Sequence, residues 1–104
     1  MTTFELEEYL EANSQIVDNF RDKYAAFLNE QNADRPTNKK WSSLRIKNET
    51  SSAVIKFIIS IHNKISTSMG SAQRKHRANW INYIEKHKII YRLEKSMADM
   101  VFEG

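Results

Sequence analysis

The chain has 104 residues, 28% charged and 40% hydrophobic, with two glycines, one proline and no cysteine. That leaves room for one domain with one core, and it excludes disulfides, thiolate zinc sites and a cysteine nucleophile while fitting a reducing, cytoplasmic setting. The net charge of +3 hides a split: residues 1–34 hold eight acids against two bases (net −6), and residues 35–104 hold fourteen bases against five acids (net +9).

The acidic start, Phe4-Glu5-Leu6-Glu7-Glu8, is not the pattern of a signal or transit peptide. Leu6, Tyr9, Leu10, Ile16, Val17, Phe20, Tyr24, Phe27 and Leu28 recur at intervals of three and four, which predicts a helix. Thr2 followed by Glu5 fits a capping box at its start, and Asn13-Ser14 is where the helix would bend or split. Residues 31–40, with Asp34-Arg35-Pro36-Thr37-Asn38 inside, predict a loop.

The middle segment admits two readings. As a helix, Val54, Phe57, Ile58, Ile61 and Ile65 form an apolar stripe. As strands, Leu44 and Ile46 alternate with Arg45 and Lys47. Ile55, Phe57, Ile59 and Ile61 then alternate with Lys56, Ser60 and His62, and Ile65, Thr67 and Met69 with Lys64, Ser66 and Ser68. β-Branched residues dominate, which favours the strands, although neither intervening turn contains the glycine that tight hairpins prefer.

Trp80, Ile81, Ile84, Ile90, Tyr91, Leu93, Met97, Met100 and Val101 predict a final long helix, with Lys86, Lys88, Arg92 and Lys95 on its other side. Residues 70–78, containing Arg74-Lys75-His76-Arg77, would then form a basic arm before it. The expected fold class is α+β: a helix, a three-stranded antiparallel meander and a long C-terminal helix, both helices on one sheet face. The alternative is an all-α helical bundle.

The order of landmarks resembles a family of small domains of unknown function at the C-terminus of some restriction-nuclease-like bacterial proteins. The resemblance rests on Tyr24 with Leu28-Asn29-Glu30, on Trp41-Ser42-Ser43-Leu44 opening a strand, on Phe57 in a second strand, and on Trp80, Ile84 and the Lys88-to-Glu94 spacing in the last helix. It spans roughly residues 20–100 and implies an accessory or recognition module without activity. The family pattern continues into further extended segments, which this sequence lacks after Phe102-Glu103-Gly104.

No enzyme motif is evident. His62, His76 and His87 have no metal-ligand spacing. Two isolated glycines do not build a phosphate cradle, and the segment 41–69 holds a single acid, Glu49, where a nuclease needs several. No catalytic residue, metal, cofactor or small-molecule substrate is expected.

Two binding roles remain. DNA or RNA would meet a basic sheet face of Arg45, Lys47, Lys56 and Lys64, flanked by Lys39, Lys40 and Trp41 and by Arg74, Lys75 and Arg77. Cations neutralise phosphate and Trp41 offers a stacking surface. A protein partner or a second copy would instead use the acidic first helix and exposed aromatics, as in an adaptor or an inhibitor of a host or defence system. The longest apolar run, Phe57-Ile58-Ile59, is far short of a membrane span, so no membrane role is expected.

Overall fold

The computed structural model describes residues 1–102 and consists of helices: α1 (Thr3–Asn13), α2 (Ile16–Ala33), α3 (Ser43–Ser68), α4 (Arg77–Lys86) and α5 (Ile89–Ala98). Short 3₁₀ turns occupy Thr37–Lys39 and Gln73–Lys75. No strand occurs among the described residues, so the α+β expectation and its three-stranded meander are overturned, and the all-α alternative is what the chain adopts.

At the N-terminus the capping box forms. Thr2 Oγ1 accepts from the Glu5 backbone N–H at 3.1 Å, and Glu5 Oε1 accepts from the Thr2 N–H at 2.9 Å. The bond from the Thr2 backbone, with that from its side chain, holds the Glu5 carboxyl below its ordinary pKa. α1 ends at Asn13 because Ser14 turns extended, and the Ser14 hydroxyl accepts from the Ile16 N–H at 3.2 Å as α2 begins.

The middle segment is one 26-residue helix, about 39 Å long at 1.5 Å per residue. Ser42 caps it, its hydroxyl accepting from the Arg45 N–H at 3.1 Å. Its buried side chains are Ile46, Thr50, Val54, Ile58, Ile61 and Ile65, spaced by three and four, and Met69 just past its end is buried too. The strand pattern required Leu44, Ile55 and Ile59 to face inward, yet they are 66%, 54% and 41% exposed. Burial of a helical stripe outweighs β-propensity, which is weak and depends on context. No glycine or proline interrupts residues 43–69, so nothing in that stretch breaks the helix. The one buried polar residue in it, Thr50, donates to the Ile46 carbonyl of its own helix at 2.7 Å.

The long C-terminal helix is also corrected: it breaks at His87–Lys88 into α4 and α5. Trp80 and Ile84 are buried on α4, and a straight continuation would carry that stripe onto His87 and Lys88, which are too polar to bury. The chain instead turns through Lys88 in the left-handed region (φ 52°, ψ 44°), at a cost of about 1–2 kcal/mol for a non-glycine residue. α5 then presents Ile89, Ile90, Leu93 and Met97 to the core. Lys23 Nζ secures the far end of α5, donating to the Met97 carbonyl at 2.6 Å.

The main core joins Leu6 and Leu10 of α1, Ile16, Val17 and Phe20 of α2, and Val54 to Ile65 of α3 with Met69, Trp80, Ile84 and Met97. Phe20 stacks on Phe57 with centroids 4.2 Å apart, and Phe102 meets Phe20, Tyr24 and Phe27 at 5.1–5.7 Å. Beyond Phe27, the end of α2 and the start of α3 continue as a two-helix arm, with Leu28 and Ile46 buried between them. The molecule is accordingly elongated, 53 × 23 × 22 Å. No described helix is long and apolar enough to cross a membrane.

Candidate nucleic-acid interface

Lys39, Lys40, Trp41, Arg45 and Lys47 gather at the tip of the arm, where Asn32 organises the turn. Its side-chain oxygen accepts from the Trp41 N–H at 2.7 Å and from Arg35 at 3.1 Å, and its amide donates to the Trp41 carbonyl at 3.1 Å. Lys40 Nζ donates to the Asn32 and Ala33 carbonyls at 2.8 and 3.1 Å, closing the C-terminus of α2, where a cation suits the helix dipole. The Arg35 and Arg45 guanidinium carbons stand 4.1 and 4.0 Å from the Trp41 ring centroid. Both cations pack against the indole. A base stacking on Trp41 would compete with them for the ring.

The basic sheet face does not exist, because its members sit on one helix at 100° per residue. Arg45 and Lys56 fall within about 20° of each other, whereas Lys47 and Lys64 lie about 160° and 100° from Arg45. Arg74 and Lys75 belong to the second 3₁₀ turn and Arg77 opens α4. That turn is tied down: buried Trp80 donates Nε1–H to the Arg74 carbonyl at 2.9 Å, and Asn79 donates to the Gln73 carbonyl at 3.2 Å. Arg77 lies 3.6 Å from Glu5. The ten sequence-derived residues therefore divide between the arm tip, the flanks of α3 and the 73–77 turn.

A second cluster lies where α4 meets α5. Lys86, His87, Lys88, Tyr91, Arg92 and Lys95 line an open cleft of about 420 Å³ that no acid borders. The ion pairs among the described residues are Arg21–Asp18 and Arg77–Glu5, so none of the four Lys and Arg side chains here has a carboxylate partner. Tyr91 is 65% exposed, and the His87 ring lies 4.2 Å from that of Tyr83. The bend at Lys88 creates the cluster by bringing the end of α4 to the outer face of α5. On a single helix Lys86, Lys88, Arg92 and Lys95 share the polar side with Glu85, so the sequence alone carries no signal of an acid-free cleft.

No family model, curated protein or solved structure matches the chain. Among the described residues, no group of three or more His, Asp or Glu side chains could hold a metal ion. The acidic and basic halves touch through a single described ion pair, Arg77–Glu5, so their charges are largely left to face outward.

Proposed function

We propose that the chain is a small helical binding module, without chemistry of its own, that engages nucleic acid at the bend between α4 and α5. The observation that carries this reading is the convergence of Lys86, Lys88, Arg92 and Lys95 on one cleft with no acid among its lining residues. Unpaired cations gathered in a concavity raise the local potential and neutralise successive phosphates. Tyr91, exposed among them, adds a ring face on which an unpaired base can stack. Single-stranded DNA or RNA therefore suits the cleft better than duplex. The arm tip, with Lys39, Arg45 and Lys47 exposed, is a secondary contact for a longer strand.

The test is a fluorescence anisotropy titration of labelled oligonucleotides with Lys88→Glu/Arg92→Glu, beside Arg74→Glu/Lys75→Glu as a comparator of equal charge change. Reversal at the bend weakens binding at least about tenfold, and reversal in the turn weakens it less. Equal losses would mean that net charge alone governs binding; an unchanged affinity at the bend would remove the cleft from the interface.

A further inference from the structure

We propose that the exposed apolar stripe of α3 is a homodimer interface in which two copies of the helix pack antiparallel, centred between Ser51 and Ser52. The observation is a face with no partner inside the chain. Leu44, Ile55 and Ile59 are among the most exposed large hydrophobics, and together with exposed Asn48 and Ser51 they fall within about 80° of one another around the helix. One isolated apolar residue on a surface is ordinary, but three in register along four turns are not.

The spacing of this stripe is self-complementary. Turned about a two-fold axis at its midpoint, Leu44 meets Ile59 of the second copy, Asn48 meets Ile55, and Ser51 meets Ser52. Each contact occurs twice, as an isologous interface requires. The small serines fall at the crossing point, where close approach of two helices needs short side chains.

Charge agrees with the same register. Glu49 and Lys56 lie on one flank of the stripe, about 20° apart, and in an antiparallel pair that flank faces its own copy. Glu49 then falls within about 3 Å of level with Lys56 of the second copy. Both residues are exposed and neither has an ion-pair partner among the described residues. The register also brings the basic arm tip alongside His62 of the second copy. There His62 Nε2 holds the Met1 carbonyl at 2.8 Å, and the acidic α1, with Glu7 and Glu8, begins. The opposed charges that barely meet within one chain meet between two. This inference stands independently of the nucleic-acid reading.

Sedimentation velocity over a range of concentrations is the first test, with a dimer of twice the 12.2 kDa chain mass expected. Glu49→Lys and Lys56→Glu each set like charges against one another twice per dimer and weaken dimerisation at least about tenfold; combined in one chain they restore it. Because the chain has no cysteine, single cysteines report the direction of pairing. Oxidised Ser51→Cys crosslinks near the axis, whereas two copies of Leu44→Cys lie about 22 Å apart and do not, since a disulfide spans about 4.4–6.8 Å between Cα atoms. All these positions are exposed, and circular dichroism matching the parent verifies that each variant is folded. A monomer at every concentration, rapid crosslinking through Leu44→Cys, or failure of the double charge swap to restore the dimer would each overturn the proposal.

Discussion

Replacing Ile58 and Ile55 separately by alanine distinguishes the helical α3 from a strand with the same residues. Ile58 is 1% exposed, inside the core, and Ile55 is 54% exposed. Truncation at Ile58 removes three carbons, about 2.4 kcal/mol of transfer free energy at about 0.8 kcal/mol each. The residual cavity raises the expected loss to about 3–4 kcal/mol, because the surrounding helices close over it only in part. Ile55→Ala removes atoms already largely in water and should change stability by less than about 0.5 kcal/mol. Urea unfolding followed by far-UV circular dichroism measures both, at a concentration where sedimentation shows a monomer so that dimer contacts do not enter. In a strand containing Ile55, Phe57, Ile59 and Ile61 the order reverses, with Ile55 inward and Ile58 outward. A loss at Ile55 equal to or larger than that at Ile58 would refute the helix.

Asn32→Ala should cost about 1–3 kcal/mol in the same assay, since it leaves the Trp41 N–H, the Trp41 carbonyl and Arg35 without the partner that closes the arm tip; a neutral result would mean that water replaces the amide there. Glu5 has a carboxyl held below its ordinary pKa by its bonds to Thr2, so its contribution to α1 is complete above the ordinary carboxylate range. That contribution is lost as pH falls through the lowered value. The difference in unfolding midpoint between the parent and Glu5→Gln should therefore shrink as the solution is acidified, and a difference constant with pH would show that the charge contributes nothing.

The N-terminal third of the chain was readable because it carries unambiguous local signals. Thr2 and Glu5 announce a capping box, and Leu6 to Leu28 keep helical spacing on both sides of the break at Ser14. The middle misled because α3 has apolar residues on two faces: Ile46, Val54, Ile58, Ile61 and Ile65 inward, and Leu44, Ile55 and Ile59 outward. Superimposed, the two stripes give runs such as Ile55-Lys56-Phe57 and Ile59-Ser60-Ile61, which mimic strand alternation. The missing glycines at the supposed turns were the stronger evidence, since strands need defined turns and a helix needs only continuity. The candidate site was obscured for a different reason. Lys39, Lys40, Arg45 and Lys47 do cluster, but Lys40 is engaged as a helix cap and the Trp41 ring is packed by two arginines, roles invisible in a list of basic residues. The cleft at Lys86 to Lys95 depends on a backbone reversal at Lys88 that no glycine or proline announces.

The salt dependence of single-stranded oligonucleotide binding tests the proposed role of the bend most directly. If Lys86, Lys88, Arg92 and Lys95 each neutralise one phosphate, the logarithm of the association constant should fall against the logarithm of salt concentration with a slope near about −2.8, at about −0.7 per contact. Lys88→Glu/Arg92→Glu should make that slope shallower by at least about 1.4. Absence of binding at low salt, or a slope that the substitutions leave unchanged, would show that the cleft does not bind nucleic acid.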